Sequence, residues 1–213
     1  MKRPAIICDI DGTVADITHR LHYIKGEPHV GDIYREVGVP NAKDKKYRVN
    51  FIYKGVDYDV YDLEPLHDNF YSNFRTHNLD NPSRYRKVKS YSKFYGSVSE
   101  DTPIDTTIIL ITEFANALGI PIIFCSGRPD SCVNSTVKWL QEHIIEPHGV
   151  VNHDLFMRET GDMRKDCIVK QEIYEKYIEP IYDIIAVFDD RQQVVDMWRD
   201  LGLQCYQVAK GDF

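Results

Sequence analysis

The most informative segment of the sequence is a pair of aspartates near its start, Asp9 and Asp11, followed by Gly12. In an extended backbone, residues two apart point the same way, so both carboxylates can converge, and glycine allows a sharp turn after them. Two such carboxylates repel each other and favour a divalent cation, and hard oxygen ligands with room for a phosphate suit Mg²⁺. One carboxylate could attack phosphorus while the other moves a proton to the leaving oxygen. The alternative is a pair of solvated aspartates in a turn.

Polar residues also follow two later apolar runs. Ser126-Gly127-Arg128 comes after residues 121–125, and Asp189-Asp190 comes after residues 184–188. Taken alone, the first segment would be a turn with a surface arginine, and the second would cap the helix that follows. If all these runs are parallel strands, however, their carboxyl ends meet at one edge of a sheet, where the sites of such proteins lie.

The elements that must position these residues alternate along the chain. Residues 4–8, 121–125 and 184–188 are short apolar runs typical of buried parallel strands, and residues 204–208 predict a last strand. Helical periodicity lies between them, over 103–118, 132–144, 166–178 and 192–201. This alternation predicts an α/β fold, in which helices flank a parallel sheet.

Residues 27–101 interrupt this alternation. They contain nine of the fourteen tyrosines, and residues 47–61 alternate as a β-hairpin does around Lys54-Gly55. We interpret 27–101 as a cap insertion into a core made of residues 1–26 and 102–213. Within it, residues 84–93 hold five basic residues and two tyrosines, a composition typical of a platform for single-stranded nucleic acid. The alternative is a solvated face whose tyrosines fill a small core.

Composition narrows the classes of protein further. The chain has 213 residues and a net charge of −7, so no global positive field draws it to nucleic acid or an anionic membrane. Its five cysteines include no Cys-x-x-Cys pair and predict reduced thiols. No apolar stretch approaches the roughly 18 residues of a membrane span. We therefore expect no membrane partner and a cytoplasmic protein; the sequence carries no signal for oligomeric state.

Four segments resemble, in order, the motifs of the haloacid dehalogenase superfamily. They are Asp9-Ile10-Asp11-Gly12-Thr13-Val14, Ser126-Gly127-Arg128, Lys165 within Gly161-Asp162-Met163-Arg164-Lys165-Asp166, and Asp189-Asp190. Over residues 4–20 and 103–213, the sequence is most similar to the 3′-phosphatase domains of bacteriophage polynucleotide kinase/phosphatases. The resemblance implies a Rossmann-like core with a cap after the first strand.

The resemblance also implies a role for each site residue. Asp9 would be the nucleophile that becomes an aspartyl-phosphate, and Asp11 the general acid that then activates water. Lys165 would neutralise the transferring group. The Mg²⁺ ion would be held by Asp9, by a backbone carbonyl of Asp11 and by Asp189 and Asp190. The substrate phosphate would be bound by Arg20, Ser126, the N–H groups after it, including that of Gly127, and Arg128.

The sequence departs from the phage enzymes in two ways, and both limit which properties of those enzymes the resemblance implies. The sequence has no Gly-x-x-x-x-Gly-Lys-[Ser/Thr] motif, so the resemblance does not extend to their kinase half. The 27–101 insertion is also far larger than theirs. We expect a Mg²⁺-dependent phosphomonoesterase whose partner is a phosphorylated nucleic acid end or a nucleotide. A phosphatase of nucleoside monophosphates and a catalytically inactive nucleic-acid-binding module are the alternatives.

Overall fold

A computed structural model describes residues 2–25, 49–53, 56–60 and 91–211 of the chain. The chain divides into two compact units, one formed by residues 1–21 and 92–213 and the other by residues 22–91. The first unit therefore includes residues 92–101, which the sequence analysis assigned to the insertion. Phe94 and Val98 explain this difference, because both are buried in the first unit.

The first unit is built on a five-stranded parallel sheet in the order β7-β6-β1-β8-β9. Strand β1 lies at its centre, so its apolar residues are covered on both faces, and Ala5, Ile6 and Ile7 are buried. Such burial is what continuous apolar runs predict for parallel strands. The strands are β1 (Arg3–Cys8), β6 (Ile122–Pro129), β7 (His153–Arg158), β8 (Tyr182–Asp189) and β9 (Cys205–Gln207).

Two very short strands, β2 (Ala15–Asp16) and β5 (Thr102–Pro103), pair in an antiparallel ladder beside this sheet. The second unit contains a hairpin in which β3 (Val49–Tyr53) pairs antiparallel with β4 (Val56–Val60). The hairpin predicted over residues 47–61 is thus confirmed. The other predictions for the insertion, including the basic stretch 84–93, fall mainly on residues outside the described part of the chain.

Four of the helices in the described residues lie within the ranges that periodicity predicted, and the others lie outside them. The bounds are α1 (His22–Lys25), α2 (Tyr91–Gly96), α3 (Asp105–Leu118), α4 (Val133–Leu140), α5 (Glu146–His148), α6 (Asp166–Ile173) and α7 (Gln192–Asp200). The helices within the predicted ranges are α3, α4, α6 and α7, and those outside them are α1, α2 and α5. A π-helical turn, Gln141–Ile145, joins α4 to α5, and a second, Tyr174–Ile178, extends α6. In α3, Ile108, Ile111 and Ala115 are buried at the spacing of one helical face.

Side chains that alternate along the strands form a core on each face of the sheet. On one face, Ile7 and Ile123 pack with Val169 and Ile173 of α6 and with Trp198 of α7. The predicted α/β class, with a parallel sheet flanked by helices, is confirmed. Strand β7 was not predicted, because residues 153–158 mix charged and apolar side chains and lie at the sheet edge.

Two expectations from composition can be compared with the fold. None of the five cysteines forms a disulfide, and four of them are buried. Across residues 2–25, 49–53, 56–60 and 91–211, no helix combines the length and hydropathy needed to cross a membrane.

Candidate active site

Asp9 and Asp11 lie at the carboxyl end of the central strand β1. The N–H of Asp9 donates to the carbonyl of Phe188 on β8 (2.9 Å), which extends the sheet pairing to the residue after the strand. Gly12 then adopts a φ of 83°, a conformation that favours glycine, and the chain turns away. Asp9 is buried, whereas the side chain of Asp11 keeps a small exposed fraction. The strand and turn therefore bury the carboxylate of Asp9 and leave that of Asp11 partly accessible to solvent.

Asp9 belongs to a group that we call the acidic cluster: Asp9, Asp189, Asp190 and Lys170. Each aspartate offers one carboxylate oxygen, and these oxygens lie within 4.8 Å of one another. The Nζ of Lys170 lies 2.7 Å from Asp9 Oδ1 and 2.9 Å from Asp189 Oδ2. The end of β1, the end of β8 and one helix, α6, thus meet at a single buried point, as the predicted sheet topology requires.

Negative charge exceeds positive charge in the acidic cluster. Burial raises the pKa of Asp9 well above its usual range, and Asp189 and Asp190 act in the same direction against Lys170. Burial and Asp189 raise the pKa of Asp190 to about 7. Burial acts against the charged ammonium, but Asp189 and Asp9 raise the pKa of Lys170 well above its usual value. One ammonium does not balance three buried carboxylates.

The acidic cluster fits a divalent cation. Asp190 Oδ1 is buried and has no hydrogen-bond partner among the described residues, which is costly unless another group binds it. Three carboxylates that converge on one point supply the hard oxygen ligands that Mg²⁺ takes. Asp9, Asp189 and Asp190 are therefore the residues that could hold the ion.

The structure does not bring Lys165 to this cluster. Lys165 is exposed and precedes the first residue of α6, whereas the buried lysine of the cluster is Lys170. This is a correction to the sequence analysis, and its physical reason is the helical geometry of α6. Asp166, Val169, Lys170 and Ile173 are all buried, at the spacing of one helical face. A lysine on the same helical face as Val169 and Ile173 was the signal that could have identified Lys170.

Ser126 and Gly127 lie within β6, close to the end of the sheet. Ser126 is buried, and its Oγ accepts a hydrogen bond from the N–H of Arg128 (3.2 Å). Gly127 lies against Asp166, because a Cβ at this position would be 2.2 Å from Asp166 Oδ1. Arg158 connects the two, since it donates to the Gly127 carbonyl (2.9 Å) and to Asp166 Oδ1 (3.0 Å). Only glycine fits here, so the sequence Ser-Gly-Arg has a packing reason as well as a chemical one.

Arg20 and Arg128 belong to a second group, which we call the paired cluster: Asp11, Asp101, Arg20 and Arg128. Both arginines are fully buried, and both donate to Asp11 Oδ1, with Arg20 Nη2 and Arg128 Nε each at 2.8 Å. Both also donate to Asp101, which the sequence analysis did not identify. Burial acts to raise the pKa of Asp11, but Arg128 and Arg20 hold it below its usual value.

The segment after β9 lies against Asp190. Gln207 Nε2 and the N–H of Gly211 both donate to the Asp190 carbonyl, at 2.9 and 3.1 Å. A Cβ at Gly211 would be 2.0 Å from Asp190 Oδ2. Residues 207–211 therefore form one wall of the acidic cluster, a feature that no sequence motif indicated.

Comparison with known proteins places this geometry in a family. Residues 86–213, more than half of the chain, match the family described as the polynucleotide kinase PNKP phosphatase domain, of the haloacid dehalogenase type. The chain belongs to this family. A protein of Autographa californica nuclear polyhedrosis virus, described as a bifunctional polynucleotide kinase/RNA ligase, is 34% identical over 113 residues, which are 53% of this chain and 16% of the viral protein.

Solved structures share the fold. A chain of the Pnkp1/Rnl/Hen1 RNA repair complex aligns with a TM-score of 0.57 at 23% identity, over 100% of this chain and 44% of that one. Protein tyrosine kinase A of Mycobacterium tuberculosis aligns with a TM-score of 0.50 at 13% identity, over 100% and 88%. The chain spans less than half the length of the viral protein and of the repair-complex chain.

As a member of the PNKP phosphatase-domain family, the chain is a phosphatase of the haloacid dehalogenase type. The matched region contains Asp101, Arg128, Lys170, Asp189 and Asp190, while Asp9, Asp11 and Arg20 precede it. Sequence reasoning found these three residues from the spacing of the aspartates and from the resemblance. The structure joins them to the matched region through the acidic and paired clusters.

Proposed function

We propose that this PNKP-type phosphatase is a Mg²⁺-dependent phosphomonoesterase that works through an aspartyl-phosphate on Asp9 and removes 3′-phosphate from DNA or RNA ends. The observation that carries the proposal is the acidic cluster. It combines a buried aspartate at the end of β1, an ammonium within 2.7 Å of that aspartate, and an unpartnered carboxylate oxygen on Asp190.

The first chemical step forms a bond between an oxygen of Asp9 and phosphorus. The ester bond from phosphorus to the leaving oxygen breaks, the electron pair stays on that oxygen, and Asp11 gives it a proton that Asp11 takes up when the negatively charged phosphate binds beside it. In the second step, water gives a proton to Asp11 while its oxygen bonds to phosphorus. The bond to Asp9 then breaks, inorganic phosphate leaves, and both aspartates return to their starting state.

The surrounding residues have separate roles in this scheme. Lys170 would offset the charge of Asp9 and of the phosphoryl group, the role that the sequence analysis gave to Lys165. Ser126 and the N–H groups after it would bind phosphate oxygens at the end of β6. Asp9, Asp189 and Asp190, with the backbone carbonyl of Asp11, would hold Mg²⁺, which when bound supplies positive charge to the transferring phosphoryl group. The fully buried Arg20 and Arg128 would act on Asp11, with which they already pair.

A nucleic acid end is the substrate that the relatives support. The viral relative is described as a polynucleotide kinase/RNA ligase, and the repair-complex structure is described as an RNA repair complex. Both names refer to chemistry at the ends of polynucleotides. Because this chain spans only part of each, we propose the phosphatase reaction alone for it.

The test is release of inorganic phosphate from four substrates: a 3′-phosphorylated oligonucleotide, the same oligonucleotide with a 5′-phosphate, a panel of nucleoside monophosphates, and an aryl phosphate. We expect Mg²⁺-dependent release with a preference for the 3′-phosphorylated end. Equal or faster release from mononucleotides would favour a small-molecule phosphatase. Binding of the oligonucleotide without release from any substrate would indicate an inactive binding module.

A further inference from the structure

Asp101 is the one fully buried carboxylate side chain among the described residues that touches both arginines of the paired cluster. It follows the turn Val98–Glu100 and precedes β5, where sequence gives no motif. Arg20 donates to it through Nε at 2.6 Å and Nη2 at 2.8 Å, and Arg128 through Nη2 at 2.6 Å. The indole N–H of Trp139 donates to the Asp101 carbonyl at 2.7 Å, which fixes the backbone as well. Asp101 is therefore a rigid anchor for two guanidinium groups.

The two guanidinium groups meet Asp11 in a specific way. All three of their hydrogen bonds to Asp11 end on Oδ1, one from Arg20 and two from Arg128. The arginines therefore hold the carboxylate by one oxygen and leave Oδ2 outside the ion pair. A carboxylate fixed in this way presents one defined oxygen for proton transfer, whereas a rotating carboxylate would not.

Charge explains why the arrangement needs Asp101. Two fully buried guanidinium groups face Asp11 and Asp101, so the cluster contains two positive and two negative charges. The other contacts are weaker: Arg20 Nη1 reaches the Phe94 carbonyl and Arg128 Nη1 reaches Thr136 Oγ1, both at 3.4 Å. Without Asp101, the guanidinium groups would share a single carboxylate in a buried site and repel each other. Asp11 would then lose its fixed orientation.

We infer that Asp101 is a positioning residue for the phosphatase reaction, which acts through Arg20 and Arg128 to aim Asp11 Oδ2 at the leaving oxygen. This inference rests on the proposed function, because it assigns Asp11 the proton transfer. It differs from the role that the resemblance implied for the arginines, which was contact with substrate phosphate.

The experiment compares Asp101→Asn with the wild type on two simple substrates, an aryl phosphate and a nucleoside 3′-monophosphate. In formation of the aspartyl-phosphate, an alkoxide leaving group needs the proton and an aryl oxide does not, so a misaimed Asp11 slows this step strongly only for the nucleotide. Because hydrolysis of the aspartyl-phosphate is common to both substrates, the comparison is made on kcat/KM, which depends only on the steps up to release of the leaving group. We expect kcat/KM on the nucleotide to fall at least about tenfold more than kcat/KM on the aryl ester, within the roughly 10²–10⁴-fold that general acid catalysis contributes. KM should change little on either.

A double-mutant cycle separates positioning from a general structural role. In an Asp11→Asn background, Asp101→Asn should change kcat on the nucleotide by less than about twofold, because residues that act through one another are not additive. Ile111→Ala is the matched control: Ile111 is buried in α3 and its apolar side chain takes no part in the ion pairs of the paired cluster, so its loss should lower stability without changing the aryl-to-nucleotide ratio.

His19→Ala provides a milder variant in case Asp101→Asn does not fold. His19 Nε2 lies 2.9 Å from Asp101 Oδ1, and its side chain is one-third exposed, so its loss removes one contact of Asp101 and leaves all four residues of the paired cluster in place. We expect the same bias against the nucleotide, at smaller amplitude.

Three results would overturn the inference: equal losses on both substrates, a rise in KM with kcat unchanged, or additive effects in the cycle. The second would return Arg20 and Arg128 to the binding of substrate phosphate. Failure of the nucleic-acid proposal is a separate result, because it would appear in the wild type as poor release from 3′-phosphorylated oligonucleotides while both simple esters are still hydrolysed. A wild type that hydrolyses no phosphoester would overturn both.

Discussion

Two residues that flank Ile10 in the sequence, Asp9 and Asp11, belong to different clusters, and the two clusters differ in charge balance. The paired cluster contains two arginines and two aspartates, and every side chain in it has a partner of opposite charge. The acidic cluster contains three aspartates and one lysine, and Asp190 Oδ1 has no partner in the part of the chain that the structure describes. The charges of the paired cluster therefore balance within the protein, whereas the acidic cluster has an excess of negative charge that a bound cation would offset.

This difference also separates the two carboxylates of the Asp-x-Asp pair. Arginines hold the pKa of Asp11 below its usual value, whereas burial raises that of Asp9. The pKa of Asp11 is therefore set by neighbouring protein groups, whereas that of Asp9 should change when a cation binds beside it. Substitutions should show this contrast.

The largest expected effect is that of Asp9→Asn. Asparagine keeps the shape of the side chain but cannot attack phosphorus as an anion, so turnover should fall by more than about four orders of magnitude, as for other nucleophile deletions. Phosphate release and circular dichroism measure activity and fold together. Asp183→Asn, which changes an exposed aspartate on β8, is the control and should match the wild type. Activity close to the wild type in Asp9→Asn would remove the nucleophile assignment.

The next effect distinguishes two lysines. Lys170→Met removes the one ammonium of the acidic cluster and should lower kcat by about 10²-fold or more, since a preorganised charge near the reacting group contributes on that scale. Lys165→Met changes an exposed side chain five residues away and should leave kcat within about twofold, as surface substitutions usually do. The pair is measured side by side on an aryl phosphate. The reverse pattern would restore Lys165 to the role that sequence suggested.

The substitution Asp190→Asn should have opposite effects on the unfolding temperature of the metal-free protein and on the increase that Mg²⁺ produces. Asp190→Asn removes one of the three buried negative charges, so the metal-free protein should unfold at a higher temperature, by roughly 2–4 °C per kcal/mol gained for a chain of this size. The same change should reduce the further increase that Mg²⁺ produces, because it removes a ligand. Thermal melts with Mg²⁺ and with a chelator measure both effects. Equal Mg²⁺ shifts in the variant and the wild type would exclude Asp190 as a ligand.

Much of this arrangement could be predicted from sequence, for a physical reason. Parallel strands are continuous apolar runs, so the ends of β1, β6 and β8 were visible, and the polar residues after them fall together at one sheet edge. Asp9, Asp189 and Asp190 were found in this way, and the structure brings them together.

The parts that sequence missed depend on contacts between distant segments. Asp101 lies 81 residues from Arg20 and 27 from Arg128, in an irregular segment whose pattern carries no signal for a buried carboxylate. Lys170 was missed because motif order pointed to the nearby Lys165, although its place on the buried face of α6 was readable. The contacts of Asp101 and Lys170 depend on strand register and on the rotation of each helix about its axis, which cannot be derived directly from composition.

The smallest expected effect tests the wall that residues 207–211 form beside Asp190. A Cβ at Gly211 would be 2.0 Å from Asp190 Oδ2, so Gly211→Ala must shift either the segment or the carboxylate, at a cost of about 1–3 kcal/mol of stability. Because the acidic cluster depends on convergence, the variant should also need several-fold more Mg²⁺ for half-maximal stabilisation. Gly96→Ala is the matched control, since a Cβ there meets nothing within 4 Å. The paired cluster should be unaffected, so the aryl-to-nucleotide ratio at saturating Mg²⁺ should equal that of the wild type. A changed ratio would mean that the two clusters are mechanically coupled.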